Sequence, residues 1–165
     1  MAIIDGMLQE LEEEARTTRR VLELVPDNQL AWRPHEKART LGELALHVAM
    51  VPGAVAELAS KSPAQVGQFA DPSPQSAAEL IPALEKSIAT AKKVLGGMDD
   101  AELMATWRLM RGEHELFAVP RMGFLRSIML NHWYHHRGQL TAYLREIDVP
   151  LPSIYGPSAD ENPFA

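Results

Sequence analysis

The sequence contains no cysteine among its 165 residues. This absence excludes disulfide bonds, zinc sites with thiolate ligands and an internal cysteine nucleophile. A metal ion bound by this chain therefore needs histidine, carboxylate or water as its ligands. Any thiol chemistry requires a thiol that comes from outside the protein.

Long apolar runs and excess basic charge are also missing. The chain has no run of 18 apolar residues, and its first residues lack the basic and then apolar pattern of a signal peptide. A net charge of −6 argues against nonspecific binding to nucleic acids or to anionic membranes. We therefore expect a cytoplasmic protein with no membrane span and no nucleic-acid partner.

The residues that are present have the composition of a soluble globular protein, with 46% hydrophobic and 23% charged residues. A chain of this length is predicted to form a single domain over residues 1–165 with a sizeable core. Apolar residues recur at helical spacing in four segments. These segments are residues 3–24, 40–58, 76–95 and 120–147.

The segments between and after these helices are predicted to be irregular. Residues 60–75 are interpreted as a connection that crosses the fold, and residues 106–119 as either a small hairpin or an ordered loop. Residues 149–165 contain several prolines, so this tail cannot be helical. The predicted fold is all-α: a four-helix bundle with long crossing connections and an irregular proline-rich C-terminal tail.

A proline interrupts the second helical segment. Pro52-Gly53 lies about one turn after His47. A proline inside a helix removes one backbone hydrogen bond and presses on the carbonyl four residues earlier. We expect a kink or an early helix end here, which would open a cavity beside the histidines.

Three of the six histidines fall on apolar helix stripes that should face the core. His132 and His136 are four residues apart, so their rings project from one helix face, and His47 lies on the stripe of the second segment. They are either buried histidines bonded to ordinary neighbours or three imidazoles that share one metal ion. Because an unsatisfied buried polar group costs roughly 1–3 kcal/mol, we favour the shared ion.

Four further polar residues are candidates for a role at this site. Gln139 shares the stripe of His136 and is predicted to face the open position of the metal. His135 lies off the stripe and is either a proton shuttle or a residue at the surface or at a dimer interface. Glu43 is either a helix cap or a carboxylate that orients the nearby histidine, and Arg137 is predicted to form a salt bridge.

Four stretches of the chain form a recognisable set of motifs. They are Trp32-Arg33-Pro34, Leu41-Gly42-Glu43-Leu44 followed by His47, residues 132–140 (HWYHHRGQL) and residues 149–157 (VPLPSIYGP). Together they resemble the DinB-like (YfiT-like) superfamily of proposed metalloenzymes, over nearly the whole chain. The resemblance implies a four-helix bundle, commonly dimeric, whose divalent metal ligands fall on His47, His132 and His136.

The resemblance also implies a range of activities. Some members of the superfamily resemble S-transferases that use low-molecular-weight thiols, or thiol-dependent maleylpyruvate isomerases. We therefore expect a metal-dependent enzyme, thiol S-transferase-like or hydrolase-like, that binds zinc or nickel in an open three-histidine site and forms a homodimer. The expected partner is a small-molecule substrate, such as a low-molecular-weight thiol. The alternative is a non-catalytic stress or interaction protein that the metal only stabilises.

Overall fold

The computed structural model describes residues 2–67 and 72–165 of the chain. It is mostly helical, with three long helices at Ile3–Leu22 (α1), Leu41–Ala59 (α2) and Leu80–Leu95 (α3). A short helix, α4, covers Asp100–Met104. The predicted boundaries of the long helices are correct to within a few residues.

The fourth long helical stretch is composite. It begins with α5 at Arg121–Phe124, continues through a π-helical segment at Leu125–Asn131, and ends with α6 at His132–Glu146. α6 packs against α2 and α1, and α3 packs against the same two helices. The two helices that carry the predicted histidines, α2 and α6, are therefore in contact.

The all-α prediction is wrong in one region, where three strands form a small sheet. Strand β1 (Ala64–Gln65) pairs in parallel with β2 (Thr106–Arg111), and β2 pairs antiparallel with β3 (His114–Pro120). The hairpin interpretation of residues 106–119 is correct. Strand β1 was not predicted because two residues are too few to show an alternating pattern.

Local chemistry explains why the hairpin forms. Gly112 occupies the turn with a φ of +60°, a conformation that glycine adopts without steric cost. The Trp107 side chain on β2 is fully buried, and its ring stacks on Phe124 at a centroid distance of 3.9 Å.

The predicted connection at residues 60–75 contains the short strand β1. Its residues 68–71 lie outside the described part of the chain.

The central helix is α2, and most of its residues are buried. By length and mean hydropathy, 1.4, it resembles a membrane span, but 67% of the apolar window is buried inside the fold. Core helices of soluble proteins have the same property, because they are covered by other helices rather than by lipid. The apolar character of α2 is thus explained by its packing.

Pro52 does not end α2, which continues for seven more residues to Ala59. Because proline has no N–H, it leaves the Val48 carbonyl without its usual helical donor. The indole N–H of Trp133 donates to this carbonyl instead, at 2.8 Å. A side chain of the fourth helical stretch thus replaces the missing backbone bond and ties α6 to α2.

The next residue brings α2 and α3 unusually close. A Cβ atom at position 53 would lie 2.8 Å from the Ser87 carbonyl oxygen, so only glycine fits there. The Gly53 N–H donates to the Ser87 hydroxyl at 2.8 Å, and that hydroxyl donates to the Met50 carbonyl at 3.0 Å. α2 therefore continues through Pro52 and Gly53, because side chains of the neighbouring helices form hydrogen bonds with its backbone groups there.

Residues 148–165 contain no helix or strand and lie against α1 and α6. Glu161 forms an ion pair with Arg20 of α1 at 2.6 Å, and Asp160 pairs with Arg145 of α6. The Leu151 and Ile154 side chains pack against the core. The tail therefore has defined contacts although it has no regular backbone structure.

Candidate metal centre

The three predicted histidines meet between α2 and α6. The ring of His47 lies 5.3 Å from that of His132 and 4.6 Å from that of His136, measured between centroids. The rings of His132 and His136 are 4.4 Å apart. One nitrogen from each ring lies within 4.8 Å of the other two. Within the described residues, this is the only such group of three or more metal-ligand side chains.

Hydrogen bonds orient two of the rings. The Nδ1 atom of His132 lies 3.3 Å from the Ile128 carbonyl oxygen, and the Nδ1 atom of His136 lies 2.6 Å from Oε1 of Gln139. A carbonyl oxygen only accepts hydrogen bonds, so each Nδ1 carries the proton when these bonds form. The Nε2 atoms are then left with free lone pairs, which is the form that binds a metal ion.

The two Nε2 atoms face each other at 2.7 Å. Without an ion, a contact this short is a hydrogen bond in which one of the two Nε2 atoms carries a proton, and a metal ion can take the place of that proton. Imidazole nitrogens bind zinc at about 2.0–2.1 Å, and tetrahedral geometry then separates two ligand nitrogens by about 3.3 Å. A small outward movement of the rings is enough to admit such an ion. The donor set thus fits a divalent cation that prefers nitrogen ligands.

The π-helical segment sets the direction of the His132 ring. The His132 N–H donates to the carbonyl of Ser127, five residues earlier, and not to that of Ile128, four residues earlier. This spacing brings the Ile128 carbonyl within reach of the imidazole. Ideal helical spacing would place the Ile128 side chain on the core-facing stripe. In the structure this side chain is 39% exposed, because the π-helical segment changes the spacing. Single π-helical turns are frequent at functional sites.

Burial keeps these imidazoles neutral. Desolvation lowers the pKa of His132 and of His136 from the ordinary value of 6.5, and the positive charge of Arg39 lowers both further. Hydrogen bonds to the Ile128 carbonyl and to Gln139 act in the opposite direction but are weaker. Neutral imidazole is the form that coordinates metals, so these rings are ready to bind an ion at neutral pH.

A buried hydrogen bond fixes the two helices beside the histidines. Trp133 is fully buried and directly follows His132, while its acceptor, the carbonyl of Val48, directly follows His47. The contact therefore sets the distance between α2 and α6 at the level of the imidazoles. It depends on Pro52, because a helical N–H at that position would compete for the same carbonyl.

Behind His136, a buried arginine joins α6 to α1. Arg137 is 2% exposed and forms an ion pair with Glu14 at 2.6 Å and a hydrogen bond with the Thr18 hydroxyl at 3.1 Å. Its guanidinium also lies 5.3 Å from the ring centroids of Tyr134 and Tyr155. The predicted salt bridge is present, but the burial was not expected, because the position lies off the apolar stripe of α6.

A cavity of about 390 Å³ adjoins the histidine group at His136. It is lined by Lys37, Ala38, Arg39, Leu44, His136, Gln139 and Tyr143. Pro52 is not among these residues, so the expectation that this proline opens a cavity beside the histidines is wrong. The loop before α2 forms the cavity wall instead. Lys37 and Arg39 were missed because a loop residue gives no periodic signal of the direction it faces.

The other candidate residues occupy distinct positions. Gln139 both lines the cavity and bonds to His136. His135 is exposed, with its ring 5.0 Å from that of His136. The carboxylate of Glu43 accepts the Thr40 N–H at 2.7 Å, so Glu43 is the helix cap, the first of its two predicted roles.

The fold and the histidine group together define a class of protein, helical domains with a candidate three-imidazole metal centre. The chain belongs to the DinB superfamily, whose family model matches residues 10–140. This span includes His47, His132, His136 and Gln139.

The chain is also similar to individual proteins. The uncharacterized protein YrdA of Bacillus subtilis (strain 168) is 26% identical to this chain over an alignment of 168 positions. The alignment covers 96% of this chain and 91% of that protein. The crystal structure of a DinB-like protein from Bacillus cereus ATCC 10987 matches with a TM-score of 0.73 and 26% identity, over 93% of this chain and 98% of the other. The DinB-like protein YjoA of Bacillus subtilis shares the fold, with a TM-score of 0.65 and 17% identity over 88% of this chain and 96% of its own.

Proposed function

We propose that this protein is a metal-dependent enzyme, thiol S-transferase-like or hydrolase-like, built on a four-helix bundle. The proposed metal ligands are His47, His132 and His136. The observation that carries the proposal is the convergence of three imidazole nitrogens within 4.8 Å of one another, with one of them, from His136, at the wall of a cavity. A site of this kind can hold an ion and admit a small molecule beside it.

Zinc or nickel is the proposed ion, because neutral imidazoles suit both. With three protein ligands the ion keeps one position open, where it can lower the pKa of a water or thiol and so supply a nucleophile at neutral pH. Since the chain has no cysteine, a reacting thiol must be a second substrate, such as a low-molecular-weight thiol.

The protein residues around the ion have separate roles in this proposal. Gln139 and the Ile128 carbonyl hold protons on the Nδ1 atoms of His136 and His132, so that both Nε2 atoms are available. Gln139 also borders the cavity, where its amide can bond to a substrate. His135, exposed at the edge of the group, is proposed to exchange protons with solvent.

The open position separates this proposal from a purely structural metal site. Structural zinc sites have four protein ligands, whereas the group found among the described residues contains three. In this proposal a small molecule reaches the remaining position from the cavity at His136. If the ion served only to hold α2 against α6, a cavity beside it would not be required.

The assembly and location of the protein are also proposals. We propose a cytoplasmic homodimer that has neither a nucleic acid nor a membrane as its partner. The net charge of −6 supports the absence of nucleic-acid binding. Sedimentation of the purified protein should give about twice the chain mass of 18.3 kDa; a monomer would contradict the dimer without affecting the metal site.

Elemental analysis of natively purified protein tests the metal proposal. We expect about one divalent ion per chain in the wild type and a loss of most of it in His47→Ala and His132→Ala. His35→Ala and His114→Ala are matched controls, because both histidines are exposed and lie outside the group. Equal metal content in all five proteins would refute the ligand set.

A substrate screen tests the catalytic part of the proposal. The metal-loaded protein should be assayed with a panel of electrophiles, each in the presence and absence of small thiols. Activity that requires both the ion and a thiol supports the S-transferase-like form, and activity that requires the ion alone supports the hydrolase-like form. A fully loaded protein in which a fourth protein side chain coordinates the ion would contradict an enzyme role.

A further inference from the structure

The three tyrosines of the chain differ in what their hydroxyl groups contact. The Tyr134 hydroxyl donates to the Glu10 carboxylate at 2.8 Å, and the Tyr155 hydroxyl donates to the Glu14 carboxylate at 3.0 Å. Tyrosine hydroxyls that are partly removed from solvent usually have such a partner. Tyr143 is half-buried, but its hydroxyl forms no hydrogen bond with any of the described residues. This hydroxyl can therefore bond to a ligand without breaking a bond of that part of the chain.

Tyr143 lines the cavity beside His136, together with Gln139. It follows Gln139 by four residues and His136 by seven, so the three side chains lie along one face of α6. Side chains of an α-helix tilt toward its N-terminus, so the Tyr143 side chain extends back over the turn that carries Gln139. Its direction along the helix is therefore toward the histidine group.

An aromatic contact holds the Tyr143 ring in position. Its centroid lies 5.6 Å from that of Trp32, and the ring planes meet at 84°, which is a favourable edge-to-face arrangement. Trp32 belongs to the segment before α2, and its backbone carbonyl accepts the Leu41 N–H at 2.7 Å at the start of that helix. The phenol is thus held by a second element of the fold, which lowers the entropy cost of a bond from its hydroxyl to a ligand.

We propose that the Tyr143 hydroxyl donates a hydrogen bond to the molecule that binds at the metal beside His136. The site thereby prefers small molecules that carry an acceptor oxygen, such as a carbonyl, in addition to the atom that binds the ion. The inference rests on the proposed function, because it takes a metal at the three histidines as given. A cavity volume of about 390 Å³ restricts the ligand to a small molecule.

Two uncharged thiols of similar length test the proposal. The protein is loaded with cobalt(II), whose visible spectrum changes when a thiolate binds, and is titrated with 2-mercaptoacetamide, which has a carbonyl, and with 1-propanethiol, which has none. Tyr143→Phe keeps the ring and removes only the hydroxyl. It should weaken the binding of 2-mercaptoacetamide about two- to tenfold, the effect of one hydrogen bond, and leave that of 1-propanethiol unchanged. Because a carbonyl can also coordinate the ion, the deciding quantity is the change between wild type and variant.

Tyr134→Phe is the matched control, because it makes the same change on the same helix at a residue outside the cavity. It should leave the affinity for both thiols unchanged and lower the melting temperature of the metal-free protein, since it removes the bond to Glu10. Tyr143→Phe should leave this melting temperature unchanged, because no hydrogen bond to a described residue is lost. A structural role of the Tyr143 hydroxyl would instead lower the melting temperature without a selective effect on 2-mercaptoacetamide.

The outcomes separate this inference from the metal centre itself. If Tyr143→Phe weakened both thiols equally, or neither, the role of its hydroxyl would be overturned while the metal site stands. A wild-type protein that binds no cobalt by elemental analysis would refute the metal centre, and this inference with it. A loss of affinity that is confined to 2-mercaptoacetamide in Tyr143→Phe, and is absent in Tyr134→Phe, would support the proposal.

Discussion

Two tryptophans make the same hydrogen bond in two different regions of the molecule. In the sheet region, formed by β1, β2 and β3, the indole N–H of Trp107 donates to the Lys61 carbonyl at 2.7 Å. In the histidine region, formed by His47, His132 and His136, Trp133 donates to the Val48 carbonyl at 2.8 Å. Both side chains are fully buried. Ala59 is the last residue of α2 before the sheet region begins. Along the helix it lies roughly 18 Å from His47, so the two regions are distinct.

The surroundings of the two indoles differ. Trp107 packs against Phe124 and Phe117, and the histidine group lies outside its region. Trp133 lies next to His132 and bonds to the residue after His47. The same bond therefore serves packing in the sheet region and, in our proposal, ligand geometry in the histidine region. Metal binding should thus depend on residues of the histidine region and not on residues of the sheet region.

Metal binding should have the largest effect on this comparison. At a free zinc concentration 100 times the dissociation constant, linkage raises the free energy of unfolding by about 2.7 kcal/mol. We expect this increase in the wild type and in His114→Ala, which changes an exposed residue of the sheet region. His47→Ala should lose it. Thermal melts with and without zinc measure the difference.

Two outcomes would contradict this prediction. Zinc that raised the melting temperature of His47→Ala as much as that of the wild type would mean that the ion binds elsewhere. A loss of the zinc effect in His114→Ala would mean that the sheet region takes part in binding.

The tryptophan pair gives the next largest effect. Trp133→Phe leaves the buried Val48 carbonyl without its indole donor, and Trp107→Phe does the same to the partly buried Lys61 carbonyl. Each should lower the free energy of unfolding by about 1–3 kcal/mol, with the larger loss in Trp133→Phe. Metal affinity should separate them, with a loss of about tenfold or more in Trp133→Phe and little change in Trp107→Phe. Zinc competition against a chromogenic chelator measures this affinity. Equal losses in both variants would contradict a special role for Trp133.

A second substitution sharpens this result. Pro52→Ala supplies the backbone N–H that Val48 lacks, so adding it to Trp133→Phe should recover about 1 kcal/mol of stability. Metal affinity should stay low, because the recovered bond lies within α2 and no longer holds α6. Urea unfolding of the single and double variants provides the stabilities. Recovery of affinity together with stability would show that Trp133 acts through stability alone.

The pH dependence should be the smallest effect. Burial lowers the pKa of His132 and His136 in the folded state, whereas both titrate near 6.5 when unfolded. Below about pH 6.5 the unfolded chain therefore binds more protons than the folded one, and the stability of the metal-free protein should fall as pH decreases. Urea unfolding with a chelator between pH 7.5 and 5 measures the slope. His35→Ala should keep it, and a double His132→Gln, His136→Gln variant should reduce it.

The sequence predicts the histidine region better than the sheet region, for physical reasons. Long apolar stripes define the helices, and the spacing of His132 and His136 places both rings on one face. The two-residue strand β1 has no pattern to recognise, and its partner β2 lies more than 40 residues away. Such long-range pairing leaves no local signal.

Within the histidine region, the sequence does not predict what depends on tertiary contacts. The π-helical segment changes the side-chain directions that ideal helical spacing assigns, which exposes Ile128. Pro52 predicts a kink or an early helix end, and α2 instead continues to Ala59. The sequence cannot show this, because the group that bonds to the Val48 carbonyl in place of the missing N–H belongs to Trp133, which is distant in sequence. The part of the cavity wall formed by Lys37 and Arg39 belongs to a loop whose direction only the folded chain defines.

X-ray absorption of the zinc-loaded protein tests the central claim most directly, because it reports the ligands of the ion themselves. We expect three imidazole nitrogens at about 2.0–2.1 Å together with one oxygen ligand that the sulfur of a small thiol replaces. In His47→Ala, any bound zinc should show fewer imidazoles. A spectrum without imidazole scattering, or one that is identical in the wild type and His47→Ala, would contradict a metal centre at these three histidines.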